Sequence, residues 1–345
     1  MSRRYLFLLA AAVVMLYFSI IIFMLSPLHG ARDSLYEHGS LNSFAFRQLP
    51  VLHWCQGLQW KSPPSPHVVA LVSFPGSGNT WLRYLLQQAT GIVTGSVYMD
   101  YGLRVHGFPA ENVTDGSVLV VKTHEAPPLD PNKFKSALLL IRNPRNAILA
   151  DFNRVHKGHI GTAPKSAFQR KSYNRDKSDW SYYVANQLTA WESLHRLWLT
   201  KFPGAVHVVF YETLISDTRN TLQGVLDFLN HTVSEAEMNC AISNKEGIYR
   251  RKKKIKNFDP YSSEMYRAIQ DTQDRVLDIV NGYQTKRGNG TARSNNIEWK
   301  VLRSSRSKED KDLLGEAIVR RPEGKPLGLP TIALRPSYDS FEVLN

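Results

Sequence analysis

The amino-acid sequence predicts an α/β domain of three layers, with a central parallel sheet between two layers of helices, preceded by one transmembrane helix. Three observations lead to this class. From His67 onward, short continuous runs of Val, Ile and Leu alternate with helical patterns, as strands buried on both faces require. The first run ends in the glycine-rich bend "FPGSGN" and opens a helix, a common way of presenting backbone N–H groups to an anion. Tyr5 to Leu25 is a stretch of 21 residues without a charge, with Arg3 and Arg4 before it and Pro27 after it.

That uncharged stretch has the length of a membrane span. About 20 apolar residues rising 1.5 Å each cross a hydrocarbon core of roughly 30 Å, whereas a cleavable signal has an apolar core of only about 7 to 15 residues. Residues 1–4 then form a cytoplasmic tail and residues 5–25 a signal anchor, and the basic flank places the remainder in a lumen as a single-pass type II protein. Residues 26–66 are polar and irregular, end in "KSPPSP", and read as a stem or linker. Three acceptor sequons, at Asn112, Asn230 and Asn289, would be usable for glycosylation in a lumen. Cys55 and Cys240 are the two cysteines; an oxidising lumen permits one bridge, but their spacing does not predict it, and two buried thiols fit equally.

The folded part spans residues 67–285. Strand-length runs fall at 68–74 ("VVALVSF"), 117–124 ("SVLVVKTH"), 136–144 ("SALLLIRNP") and 205–212 ("AVHVVFYE"). Helical patterns follow the first, third and fourth, and a longer helix over 179–201 repeats Trp180, Tyr183, Val184, Gln187, Trp191, Leu194 and Trp198 at intervals of three and four, aromatics that read as core. Residues 286–345 are charged and poor in large apolar runs and read as an extended or disordered tail, with a short helical pattern near 308–319.

Composition restricts the partner. Lys plus Arg number 43 against 30 for Asp plus Glu, a formal charge of +13 that calls for an anionic partner. With a lumenal topology this is a membrane surface or a phosphorylated or sulfated ligand, and no nucleic acid is expected. The sequence has no CxxC or HExxH, so no metal is expected.

In "SFPGSGNTW" the backbone turns sharply out of a strand, and Gly76 and Gly78 allow positive φ and close approach to an anion. Ser77, Asn79 and Thr80 add side-chain donors, and the helix after Thr80 offers unpaired N–H groups. A Walker A loop needs a lysine that is missing, and a dinucleotide fingerprint needs a third glycine where Trp81 stands. An ordinary strand-to-helix turn is the competing reading of this stretch.

The stretch "FPGSGNTW" resembles the 5′-phosphosulfate loop of the sulfotransferases that use 3′-phosphoadenylyl sulfate (PAPS), approximately Y/F-P-K-S-G-T-T/S-W, with Gly76 where the family has lysine. "VVKTHEAP" resembles the family's K-T-H segment, which implies that Lys122 contacts the sulfuryl group and His124 takes the acceptor's proton; Glu125 is the rival base, and a surface or capping histidine is the bland reading of His124. "RNPRNAILADFNR" is similar to the 3′-phosphate segment, with Arg142 matching its arginine, while Asn146 and Ala150 stand where the family has aspartate and serine; Asn146 or Asn153 are candidate replacement donors. Tyr211, in "FYETL", matches a residue near the adenine, or packs. Six of the seven residues Arg250 to Lys256 are basic, and Arg251 and Lys252 match the late loop over the 3′-phosphate; a solvated charge run is the alternative.

The resemblance covers about 67–285 and is nearest to the WSC-domain-containing (WSCD) sulfotransferase family, whose catalytic part reads "FPGSGNTW", although two cysteines leave no room for that family's cysteine-rich WSC domains. It implies a P-loop-like fold, PAPS as donor co-substrate without a metal, and, as acceptor, a hydroxyl of a glycan on a glycoprotein or glycolipid in the Golgi lumen, sialic acid among the candidates. The cofactor set it implies is Gly76, Ser77, Gly78, Asn79, Thr80, Trp81, Arg142, Tyr211, Arg251 and Lys252. Two other classes stay open: a lumenal binding protein that kept the fold without turnover, and an ATP-dependent P-loop kinase, against which the missing Walker lysine argues.

Overall fold

The computed structural model describes residues 52–158, 161–169, 180–249 and 258–287. The anchor at 5–25, the tail at 1–4, the first part of the stem, Arg251, Lys252, Asn289 and everything after Arg287 lie outside the described residues. Among the described residues no helix is long and apolar enough to cross a membrane.

Five strands, β1 (Val69–Ser73), β2 (Gly95–Ser96), β3 (Val121–Thr123), β4 (Ser136–Ile141) and β5 (Ala205–Phe210), form one parallel sheet in the order β2-β3-β1-β4-β5. The expected run over 117–124 shortens to β3 because the residues before it pair elsewhere. Lys61 N donates to Ser117 O, Ser65 N to Gly116 O and Leu119 N to Val93 O. The two-residue β2 has no alternating or apolar run and was not expected.

Eight helices cover the sheet among the described residues: α1 (Asn79–Thr90), α2 (Tyr101–Val105), α3 (Pro144–Lys157), α4 (Trp180–Thr200), α5 (Tyr211–Ser216), α6 (Thr218–Phe228), α7 (Glu235–Ser243) and α8 (Ser263–Arg287). Helix α1 packs on α7, which also meets α6; α4 packs on α8 and on α3. The paired strand residues Leu71 and Leu138, with Leu140 and Val209, join Leu82, Leu85, Leu222 and Val225 in the core under α1 and α6. The aromatic run expected as core in 179–201 is core: Trp180, Tyr183, Trp191 and Trp198 are all buried in α4.

Residues 52–66, expected as the end of a stem, are tied to this body. Gln59 N donates to Gly91 O and Val93 N to Gln59 O, Gln88 Nε2 donates to the carbonyl of His53, and Cys55 is disulfide-bonded to Cys240 in α7. Spacing left that bridge open; a 5.9 Å Cα separation closes it.

Candidate active site

Strand register assembles the site at the carboxyl edge of the sheet, where ligands of open α/β sheets bind. Leu71 pairs with Lys122 and Val72 with Thr123, so the next residue of β3's run, His124, comes beside Ser73. Ser96 pairs with Lys122, which brings Tyr98 to His124; Ile141 pairs with Phe210, which brings Arg142 to Tyr211.

The loop after β1 is built by close approach. Gly76 and Gly78 have φ of +79° and +93°, where a side chain is strained. A Cβ on Gly76 would lie 2.4 Å from Ala147 O and 2.8 Å from Asp151 N, both backbone atoms of α3, and one on Gly78 would lie 2.4 Å from the Tyr211 ring. The loop is therefore pressed onto α3 on one side and Tyr211 on the other. Helix α1 starts from Gly78 with no side-chain cap, leaving its first N–H groups open at the edge of the sheet. Ser77 is fully buried and its Oγ has no partner among the described residues, which fits an anion held in this cradle.

Asn79 and Trp81, both in the expected cofactor set, make side-chain hydrogen bonds inside the protein. Asn79 Nδ2 donates to Leu71 O at 3.2 Å and Ser73 Oγ at 3.1 Å, bracing the loop against β1. Trp81 is buried and its indole N–H donates to Lys245 O at 2.7 Å. Thr80 is half-buried in the first turn of α1. Of the two readings of Tyr211, its contacts are those of packing: its ring meets Trp81 edge-on at 5.8 Å and lies 4.3 Å from the Arg142 guanidinium.

Arg142 donates through Nη1 to Gly76 O at 2.7 Å, and its buried Nε has no partner among the described residues. Its carbonyl accepts from the indole of Trp191 at 3.1 Å, so the long core helix α4 fixes the strand end that carries it. Pro144 at the first turn of α3 and the Asn143 side chain, which accepts from Arg145 N at 3.0 Å, start the helix directly after it. Of the candidate replacement donors, Asn146 is exposed and Asn153 is engaged at Oδ1 by Ala163 N at 2.8 Å.

His124 Nδ1 lies 2.6 Å from the carbonyl oxygen of Ser73. A carbonyl only accepts, so Nδ1 carries the hydrogen and Nε2 keeps its lone pair. The backbone N–H of His124 donates to the Tyr98 hydroxyl at 3.0 Å, and the Tyr98 ring stacks on the imidazole at 5.7 Å. Burial, then the charge of Lys122, holds the His124 pKa down to about 3. Burial, then the charge of Arg83, lowers Lys122 to about 8. Glu125 is exposed; its backbone carbonyl, by contrast, is held by the Trp198 indole at 2.8 Å.

Two charged groups near the site went unrecognised in the sequence. Arg83, fully buried in α1, donates to Glu111 Oε1 at 2.7 Å, Thr94 Oγ1 at 2.9 Å and Thr94 O at 2.9 Å. Arg154 in α3 holds Asp151 Oδ1 through Nε at 2.9 Å and Nη2 at 2.7 Å, and its charge contributes to the lowered pKa of both Lys122 and His124. An arginine inside "TWLRYLLQQ" and one after "ADFN" carry no pattern that separates them from surface charges. Among the described residues no group of His, Cys, Asp and Glu is arranged to hold a metal.

The glycine-rich loop after β1, Lys122 and His124 at the end of β3 on one side and Arg142 after β4 on the other meet at the carboxyl edge of the parallel sheet. Residues 66–275, more than half of the chain, match the sulfotransferase domain, and the chain belongs to that family. It is a WSCD-like member. A WSCD family member of Aedes aegypti is 45% identical over 260 residues, covering 68% of this chain and 81% of that protein. Another, of Drosophila melanogaster, is 48% identical over 215 residues, covering 62% and 67%. The crystal structure of mouse sulfotransferase SULT7A1 complexed with PAP is 14% identical, covers 70% of this chain and 89% of that one, and superposes with a TM-score of 0.41.

Proposed function

We propose that this chain transfers the sulfuryl group of PAPS to a hydroxyl of a lumenal glycan. The observation that carries this reading is the 2.6 Å contact of His124 Nδ1 with Ser73 O, which leaves Nε2 as an unprotonated base two residues beyond a buried lysine. The acceptor hydroxyl oxygen forms a bond to sulfur as the bond between sulfur and the 5′-phosphate oxygen breaks, and the hydroxyl proton goes to His124 Nε2. The leaving 3′,5′-ADP (PAP) keeps the electron pair of the broken bond. Lys122, the α1 N-terminus and Ser77 stabilise the oxygens on which charge develops, and Arg142 with the basic run at 250–256 is the candidate grip on the 3′-phosphate.

The placement of His124 favours it over Glu125 as the base, because the imidazole is braced from Ser73 and Tyr98 whereas the Glu125 side chain is exposed. A type II anchor in the Golgi membrane, proposed from residues 1–25, agrees with the Cys55–Cys240 bridge, since disulfides persist in oxidising compartments. Asn112 and Asn230, the two proposed glycosylation sites within the described residues, are exposed with φ of 65° and 48°. Sialic acid is the acceptor sugar proposed from the WSCD resemblance.

The test is transfer of labelled sulfate from PAPS to a panel of defined glycans by the purified chain, with His124→Ala and Lys122→Ala alongside. Labelled glycan from the wild type and none from either variant is the expected result. The loop's missing lysine and Ala150 favour a second reading, a binding protein with this fold, and PAP binding without turnover on any acceptor would select it. If PAP does not raise the melting temperature of the folded chain, and does no better than ATP, the donor assignment fails.

A further inference from the structure

The transfer site lacks the loop lysine, and the structure points to where that charge has gone. Gly76 is pressed onto α3 so closely that a Cβ there would lie 2.4 Å from Ala147 O, 2.8 Å from Asp151 N and 3.2 Å from Ala150 Cβ. Residues three and four apart share a helix face, so Ala147, Ala150, Asp151 and Arg154 form one stripe, and the loop rests on its first part. Arg154 is the residue of that stripe one turn beyond the loop contact. Its side chain is 41% exposed, whereas the other cation near Lys122, Arg83, is fully buried and bound to Glu111.

The guanidinium does not swing freely. Nε and Nη2 both reach Asp151 Oδ1, and Asp151 Oδ2 accepts the Tyr183 hydroxyl at 2.7 Å. Asp151 is 4% exposed and Tyr183 is buried in α4, in ring contact with Phe152 and Trp180. A chain of fixed groups thus runs from the core helix α4 to the Arg154 head group, and both Lys122 and His124 feel the arginine's charge.

We propose that Arg154 is the second cation of the transfer site, contacting the sulfuryl group in place of the lysine that Gly76 replaces, and that Asp151 and Tyr183 are its positioning residues. This rests on PAPS being the donor. A glycine at 76 and an arginine at 154 are then two halves of one arrangement: the bare loop lies against α3, and the next turn of α3 supplies the charge. Arginine suits the task, since its planar, always-charged guanidinium matches the geometry of an oxyanion.

PAPS and PAP differ by the sulfuryl group, so calorimetric titration of the full chain with each ligand separates this contact from the rest of the site. Arg154→Ala is expected to weaken PAPS binding about tenfold while leaving PAP within about twofold, as loss of one charge-assisted contact implies. Arg154→Lys should recover part of the loss, and Asp151→Asn and Tyr183→Phe should each show a smaller loss confined to PAPS. Unchanged PAP binding also certifies that each variant is folded. Equal weakening of both ligands would place Arg154 on the nucleotide or in the scaffold, and unchanged affinity for both, even with a raised KM for the acceptor, would place it on the acceptor side; either result overturns the proposal. A wild-type chain that binds neither ligand overturns the donor assignment and this inference with it.

Discussion

Arg142 donates a 2.7 Å hydrogen bond from Nη1 to the carbonyl oxygen of Gly76, across 66 residues of sequence. The same guanidinium lies 4.3 Å from the centroid of the Tyr211 ring, whose edge abuts Gly78. One arginine therefore fixes both glycines of the loop, one directly and one through the tyrosine. Its expected partner, the 3′-phosphate, has to be met by the donors that this contact leaves.

Any side chain at residue 76 should break that arrangement. Gly76→Ala forces a positive φ, costing about 1–3 kcal/mol, and drives its Cβ into the Ala147 carbonyl and Asp151 amide, which as helix backbone cannot rotate away. Urea denaturation should show a loss of more than about 2 kcal/mol for Gly76→Ala and at least as much for Gly76→Lys. Gly224→Ala is the contrast: in α6, with nothing within 4 Å, it should be neutral or gain up to about 1 kcal/mol. Restoring the family lysine at 76 is thus expected to abolish PAP binding, and unchanged stability would refute the account of the loop.

Lys122 gives the site an alkaline limit. Its pKa in the folded chain is about 8, below the ordinary 10.5, so it is cationic below that pH and neutral above it. Affinity for PAPS should fall as pH rises from 7 to 9, and Lys122→Arg should flatten the curve because a guanidinium stays charged. Between about 8 and 10.5 the unfolded chain holds the extra proton, so this group's contribution to stability rises with pH as affinity falls. Opposite slopes for binding and stability across that window are the signature; parallel slopes would remove Lys122 as the cause.

Reduction should loosen the N-terminal segment. The Cys55–Cys240 bridge spans 185 residues, and closing a loop of that size removes enough unfolded-chain freedom to stabilise by about 2–4 kcal/mol. The melting temperature of the wild type should drop in reductant, while a Cys55→Ser, Cys240→Ser double variant should start low and not respond.

Glu111→Ala leaves the fully buried Arg83 without its carboxylate and should cost about 3–5 kcal/mol in urea denaturation. It should also reach the site. Glu111 is among the groups that raise the Lys122 pKa, so its removal should move the alkaline loss of PAPS affinity to lower pH. An unshifted limit in a variant that still folds would separate the buried pair from the site.

The strands of this protein were legible because a sheet covered on both faces needs unbroken apolar runs, and four of the five strands have them: β1, β3, β4 and β5. Lys122, His124 and Arg142 were legible for a related reason, since each follows or lies in such a run and the parallel register brings run ends together. Arg83, Asp151 and Arg154 were not, because a charge inside a helix reads as solvated until its tertiary neighbours are known, and neither was Glu111, a charge in a turn, for the same reason. The contacts of the Asn79 side chain were not legible either: expected as a donor of the loop, its amide donates to Leu71 O and Ser73 Oγ behind it. The bridge and the anchored segment 52–66 depend on contacts 30 to nearly 190 residues apart, which spacing does not encode.

The nearness of Gly76 to the backbone of α3 bears on ancestry as much as on chemistry. A lysine introduced at 76 by one substitution meets main-chain atoms, so it calls for a prior movement of the helix. Descendants of such a chain inherit the pairing of bare loop and close helix as a unit, and further change is channelled into the residues of the helix face.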